Sequence, residues 1–295
     1  MENIFEISVN PEQSEKVLKV VLHFFRHGEP ERDPNKTNAE YELTESGRKQ
    51  AIEKSKAIGG KRNLNQSAAI ASPRKRTQET SAFAMTGGYL DTITGTESLE
   101  ELKEKIHTGK IRVNPQLDFY LDKDTPFGHK AFEAIFTNKD YLRFLVEESD
   151  NLAKEEHDFN ASTYSRQASN IAKIVKKHAS VASRLSTSIK NNENKDLNFE
   201  RFLGTHGGVV ESFLLKVIEK VKGVEERNRL LDFMPNQFDY TEGIDITLAN
   251  EGSNQTMHIL FKKEDKKNRE KNFVFDEDIP LTVIDDIIKE GDTSS

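Results

Sequence analysis

The run Val17–Phe25, VLKVVLHFF, leads directly into Arg26-His27-Gly28-Glu29. A short, nearly continuous apolar stretch rich in Val and Phe is the pattern of a strand covered on both faces, as in parallel sheets whose crossover helices pack above and below. A polar loop with Pro30 and Pro34 then extends to about Tyr41. Thr44 is placed to cap a helix to about Ile58, closed by Gly59-Gly60. The alternation recurs: Ala68–Ala71 reads as a short strand, followed by Ser72 as N-cap and Pro73 at the first position of a helix ending near Gly87-Gly88. Phe199–Thr205 is another buried strand, and it runs through His206-Gly207-Gly208 into a helix from about Val209 to Lys222. Recurring strand–helix pairs predict an α/β fold, a three-layer α/β/α sandwich with a mainly parallel sheet.

The remaining elements are expected around that core. Glu97–Ile106 has the look of a helical turn or two, and Ile111–Leu121 could hold a strand. Helices are expected near 130–148 and 161–189, the second with Ile171, Ile174, Val175, Val181 and Leu185 on one apolar stripe. Ile244–Leu248 and Thr256–Phe261 flank Asn250-Glu251-Gly252-Ser253 as a C-terminal β-hairpin. Lys262–Lys271 is expected to be a solvated face. The expected organisation is one domain: a core at about 17–90 and 198–262, a largely helical insertion at 91–197, and a peripheral tail at 263–295 with a short helix at Leu281–Lys289.

Composition narrows the function. The chain has 43 Lys+Arg against 50 Asp+Glu, a net charge of −7, which argues against a binder that neutralises nucleic-acid phosphates over a broad basic face. With no cysteine, a disulfide framework, a zinc thiolate site and a Cys nucleophile are all excluded. Met1–Val9 has neither the basic start nor the apolar middle of a signal peptide, and no apolar run approaches the ~20 residues of a spanning helix. The expectation is a cytoplasmic protein with no nucleic-acid or membrane partner.

In open α/β sheets ligands bind beyond the carboxyl ends of the strands, and two such ends here carry His-Gly pairs. His27 follows a basic residue and precedes a glycine. A neutral imidazole can attack phosphorus, and an adjacent guanidinium disfavours the protonated form that cannot. Gly28 would let backbone approach a phosphate closely. Taken alone, the tripeptide is equally compatible with ordinary strand-end polar residues. His206, at a helix start that favours anions, could hydrogen-bond a phosphoryl oxygen; its alternative is a satisfied core histidine. Arg76 falls near the helix start after Ser72-Pro73, where a guanidinium could pair with phosphate; its alternative is a surface arginine within Arg74-Lys75-Arg76.

The runs RHGE (26–29), LTESGRKQA (43–51), SPRKRTQET (72–80) and GTHGG (204–208) resemble the histidine phosphatase superfamily, the phosphoglycerate mutase-like proteins. The resemblance anchors roughly residues 17–90 and 198–262. It implies a metal-independent phosphomonoesterase without a cofactor, in which His27 is the phosphorylated nucleophile and Arg26, Arg76 and His206 complete the phosphate pocket. The substrate would be a small phosphorylated molecule or a phosphoprotein. Two alternatives are a mutase-type phosphotransferase and a phosphate-binding or scaffold protein that kept the pocket without the chemistry.

The family also uses a carboxylic acid to protonate the leaving group. In the related region IRVNPQLDFYLD the candidate is Asp118, with Asp122, Glu97 and Glu101 behind it. Such an acid must stay protonated near neutral pH. Relatives with a mutase or sugar-phosphate activity resemble RHGxxxxN; here that last position is Asp33, which should point away from a phosphate, with Asn35 two residues on. His23 is expected to be a packed core residue, and His107, His129, His157, His178 and His258 have no metal-ligand spacing. Phe119, Tyr120, Phe127, Phe132 and Phe136 are expected in the core, with a substrate mouth as the alternative. Specificity is expected from 91–165.

Overall fold

The computed structural model describes residues 18–59, 63–87, 90–189, 197–251, 254–264 and 272–293. Its seven strands are β1 (Leu18–Arg26), β2 (Ser67–Ala71), β3 (Ile111–Val113), β4 (Leu197–Thr205), β5 (Gly243–Glu251), β6 (Asn254–Glu264) and β7 (Asn272–Ile279). They form one sheet in the order β3-β2-β4-β1-β5-β6-β7. Neighbours from β3 to β1 run parallel, and those from β1 to β7 antiparallel. The parallel half is as expected, and the hairpin is part of a meander that extends the same sheet.

Helices cover both faces. They are α1 (Glu45–Ile58), α2 (Lys75–Thr86), α3 (Leu99–Lys105), α4 (Pro126–Glu133), α5 (Tyr141–Phe144), α6 (Asp150–Glu155), α7 (Tyr164–Ile189), α8 (Val209–Lys222), α9 (Val224–Phe233) and α10 (Leu281–Thr293). Strand alternation divides β1 between two cores. Leu18, Val20, Leu22 and Phe24 join Ile171, Val175, Phe213 and Leu214 on the face of α7 and α8. Phe25 joins Ala51, Phe83 and Phe202 on the face of α1 and α2. His23 shares that second face and is buried as expected, with Nδ1 2.8 Å from Asp245 Oδ1 and its ring 5.0 Å from that of Phe202.

Local signals explain several boundaries. Thr44 Oγ1 accepts the Gly47 N–H at 3.0 Å, and Gly59 closes α1 at φ +66°. Substituting such a cap costs about 0.5–2 kcal/mol. By contrast, Ser72 does not cap the second helix, which begins at Lys75 after Arg74. The exposed N–H groups of Lys75 and Arg76 are taken by the carbonyls of Ala39 and Tyr41, both at 3.0 Å. The loop after β1 therefore caps α2, an arrangement no local pattern at Ser72-Pro73 could reveal.

The tail departs most from expectation. Residues 272–279 form an edge strand with Phe273, Phe275 and Ile279 buried, and α10 packs Ile284 and Ile287 into the α7–α8 layer. At the α7 crossing, Gly291 lies so close that a Cβ would stand 2.2 Å from that of Ser169. The alternation in NFVFDEDI is plain in retrospect; its acidic outward residues conceal it. In the Lys262–Lys271 run, 265–271 lie outside the described residues. So do Val17, Gly60, Gly88, the hairpin tip 252–253 and 294–295.

The helical insertion is present but broken. A π-helical turn follows α4 at 134–138, and another follows α5 at 145–149. Such turns shift the side-chain register by one position and often occur at functional sites.

Candidate active site

Sheet register assembles the site. β1 and β4 pair from Leu18↔Leu197 to Arg26↔Thr205, so His27 and His206 emerge side by side. The His27 N–H donates to the Thr205 carbonyl at 2.9 Å, and the two rings meet edge to face at 5.3 Å. On the other side of β4, Ala71 pairs with Gly204. Ser72 follows, and its hydroxyl lies 2.8 Å from His206 Nε2. Asn114, just past β3, donates its N–H to Ala71 at 2.8 Å and leads the chain on to Asp118. Three parallel strand ends thus converge on one cavity of about 680 Å³.

His27 is 6% exposed, and its Nδ1 lies 2.7 Å from the Gly28 carbonyl. A carbonyl only accepts, so Nδ1 carries the proton and the neutral ring keeps its lone pair on Nε2. Burial holds its pKa well below the usual histidine value, aided by His206, Arg76 and Arg26. The ring is therefore neutral under physiological conditions.

Arg26 and Arg76 bring positive charge to the cavity floor. Arg76 is buried, donates from Nη1 to the Asn38 carbonyl at 2.6 Å, and is lowered by burial and Arg74 to about 10. It remains charged. Arg26 donates to the Phe238 carbonyl and lies over the Tyr240 ring, 4.6 Å from its centroid. Among the described residues, the buried nitrogens Arg26 Nε, Arg76 Nε and His206 Nδ1 have no protein partner. Buried polar atoms without partners are costly, and three cavity-lining side chains rich in N–H groups suit an anion with several acceptor oxygens.

Gly28 does not line the cavity. Its N–H donates to Thr80 Oγ1 at 3.0 Å, and an added Cβ would sit 2.5 Å from the Gly47 carbonyl oxygen. It is required for the approach of the loop to α1, rather than of a phosphate. The start of α8 is likewise self-capped: Glu211 accepts the Gly208 N–H at 2.9 Å and the Phe238 N–H at 2.7 Å. Side chains, more than the capped N–H groups at the start of α8, supply the donors that line the cavity.

Asp118 lies beside the cavity, held by two nitrogen partners. Its Oδ1 accepts from Arg74 Nε at 2.7 Å and lies 3.2 Å from His206 Nε2. Burial would raise its pKa, but His206 and Arg74 together hold it at about 2. The fallbacks lie elsewhere. Glu97 accepts the Thr94 and Gly95 N–H groups and pairs with Lys105; Glu101 closes the capping box of α3 with Ser98. Asp122 is half-buried and accepts the Asp124 N–H in a turn. None of these carboxylates lines the cavity, and neither does any other Asp or Glu among the described residues. Asp33 does turn away, toward the side chain and N–H of Asn35.

The walls were the less legible part. Phe119, Tyr120, Phe132 and Phe136 line the mouth, whereas Phe127 is fully buried in the core. The Phe132 and Phe136 rings stack at 5.9 Å and 12°, with Phe136 59% exposed. Arg32, Asn38, Tyr41, Arg74, Gln237 and Tyr240 also line the cavity and carry no motif that sequence reading could isolate. Among the described residues no group of three or more His, Asp or Glu could hold a metal, and no helix is long and apolar enough to cross a membrane.

Residues 22–114 match the family model described as "Histidine phosphatase superfamily (branch 1)". No curated protein matches the sequence. Among solved structures, a phosphoglycerate mutase from Bacillus anthracis str. Sterne is 12% identical over 94% of this chain and 99% of its own, with TM-score 0.45. The mycobacterial glucosyl-3-phosphoglycerate phosphatase is 14% identical over 79% of this chain and 91% of its own, with TM-score 0.40. A putative phosphohistidine phosphatase SixA from Nakamurella multipartitia is 9% identical over 80% and 86%, with TM-score 0.33. Through the match over residues 22–114 and the motif runs built around its strand ends, this chain resembles the histidine phosphatase superfamily, branch 1.

Proposed function

We propose that this protein is a metal-independent phosphatase that hydrolyses a phosphomonoester through a phosphohistidine on His27. One observation carries the reading: the His27 Nδ1–H is committed to the Gly28 carbonyl, which leaves Nε2 as the basic nitrogen of a neutral ring. In the first step Nε2 attacks phosphorus in line while the ester oxygen departs with its electron pair. Arg26, Arg76 and His206 absorb charge on the equatorial oxygens. Water then attacks the phosphohistidine, and the P–N bonding pair returns to Nε2.

His206 is a binding group in this scheme, and Asp118 and Ser72 position it. An anionic phosphoryl group beside Nδ1 favours an imidazolium, and Asp118 at Nε2 offsets that charge, as a buried aspartate does behind a catalytic histidine. The test is rapid quenching with p-nitrophenyl phosphate followed by mass spectrometry of the peptide containing His27. A gain of one phosphoryl group on His27 supports the proposal. A protein that binds phosphate yet never traps that adduct is a binding pocket without the chemistry.

A further inference from the structure

We infer that the leaving group of the preferred substrate is an aryl oxygen, so that this site acts on phenolic rather than alkyl phosphomonoesters. This inference rests on the phosphatase reading and narrows it to a substrate class. Two independent observations support it. The first is chemical: no Asp or Glu among the described residues lines the cavity. Asp118 is tied to Arg74 and His206. His206 in turn faces Asp118 and Ser72 through Nε2, and His27 gives its only proton to Gly28. Arginines do not surrender protons.

The departing oxygen therefore has no carboxylic acid to protonate it, and in this reading it leaves as an anion, with His206 Nδ1 turned to the equatorial oxygens and the Tyr41 and Tyr240 hydroxyls not donating. For an aliphatic alcohol that anion is about as basic as hydroxide, with a conjugate acid near pKa ~15.7. For a phenol the value is about 10, as in tyrosine. Without a proton donor, which is ordinarily worth about 10²–10⁴-fold, a phenolate can leave where an alkoxide cannot. Step one forms His27 Nε2–P and breaks P–O, with the pair leaving on the phenolate oxygen, which solvent later protonates. Step two consumes one water and returns His27 and inorganic phosphate.

The second observation is shape and surface. The floor is cationic, whereas the approach to it is aromatic. Tyr240 lies 6.0 Å from the nucleophile ring, and Phe119 lies 4.7 Å from His206 and 4.6 Å from the Arg74 guanidinium. Phe132 and Phe136 stand exposed and stacked at the mouth. Exposed aromatic pairs cost solvation unless something covers them, and an aromatic ring fits that surface by offset or edge contact. A cavity of about 680 Å³ accepts such a ring with further substituents.

The experiment uses the full chain and compares kcat/KM for phenyl phosphates of graded leaving-group pKa with those for β-glycerophosphate and O-phosphoserine. The ratio kcat/KM reports the phosphorylation step, in which the P–O bond breaks. Aryl esters should exceed alkyl esters by about 10²-fold or more, with kcat/KM falling steadily as leaving-group pKa rises. Replacing both Phe132→Ala and Phe136→Ala should narrow the aryl-to-alkyl ratio by about threefold to tenfold. Equal rates for the two classes, or no dependence on leaving-group pKa, would overturn the inference and point to a tyrosine hydroxyl of the cavity as a donor, which Tyr240→Phe and Tyr41→Phe would then expose. If no ester phosphorylates His27, the phosphatase reading itself falls, and the aryl preference with it.

Discussion

The floor and the walls of this cavity are built from different kinds of structure. The floor consists of Arg26 and His27 at the end of β1, His206 just past β4 and Arg76 in the first turn of α2, held by ladder register and by backbone bonds such as His27 N–H to Thr205 and Arg76 N–H to Tyr41. The walls come from 115–141 and from loops at 30–41 and 237–240, where short helices, π turns and irregular chain carry the side chains. Strand ends are rigid and confer geometry; irregular segments vary freely and confer selectivity. Changes in the floor should therefore abolish chemistry, and changes in the walls should alter only which ester is used.

The largest expected effect is at the nucleophile. His27→Ala should lower kcat with an aryl phosphate by at least about 10⁴-fold, on the scale of losing a covalent nucleophile. Its melting temperature should stay close to that of the unaltered protein, because the ring's one hydrogen bond is to the neighbouring Gly28 carbonyl. Retention of substantial turnover would break the floor's assignment at once. Arg76→Ala comes next, at about 10²–10³-fold, the usual loss for one preorganised donor to developing charge. Arg76→Lys should recover little of it, since an ammonium cannot both donate to the Asn38 carbonyl and present a second fixed N–H.

Asp118→Asn separates positioning from proton donation. Hydrogen bonds to charged groups are worth about 1.5–3 kcal/mol, so losing the charge behind His206 should cost roughly 10–100-fold. The loss should be shared equally by aryl and alkyl esters. A loss confined to alkyl esters would mean that Asp118 does supply the proton. The pH profile sharpens the same point. His27 has a pKa depressed by burial and by His206, Arg76 and Arg26, so its reactive neutral form persists to acidic pH. The acid limb of kcat/KM should therefore lie below the ordinary histidine value of about 6.5. A limb at or above that value would place an ordinary, solvated imidazole at the reaction centre.

The floor was legible in the sequence for the reason that makes it rigid. An apolar strand that stops at Arg26-His27-Gly28 identifies both the element and the residues just past its end, and the same holds at Thr205-His206. Arg76, expected near a helix start, does line the cavity, although its helix is capped by Ala39 and Tyr41 rather than by Ser72. Gly28 was identified by the right property, the absence of a side chain, but for the wrong neighbour, Gly47. The walls had no such signal. Phe119, Phe132 and Phe136 share their composition with the core, and only tertiary packing separates them from Phe127. The partners of Asp118 could not be read locally either, since Arg74 is 44 residues away and His206 stands at the end of β4. β7 was missed because its outward positions, Asp276 and Asp278, are charged enough to mask a regular alternation.

Two arginines of the same cavity give the smallest and most discriminating comparison. Arg32 lines the mouth and is exposed, whereas Arg76 lines the floor and is buried. Burial removes the water that would otherwise screen a guanidinium, so an equal charge acts far more strongly from the floor than from the rim. Arg32→Ala should raise KM by about twofold to fivefold with kcat unchanged, the scale of a solvent-exposed ion pair. That difference should shrink as salt rises from about 0.05 to 0.5 M, because the Debye length falls from above ~10 Å to a few Å. The deficit of Arg76→Ala should persist over the same range. Were both deficits to vanish with salt, the floor would be as wet as the rim, and a neutral His27 held by burial could no longer be defended.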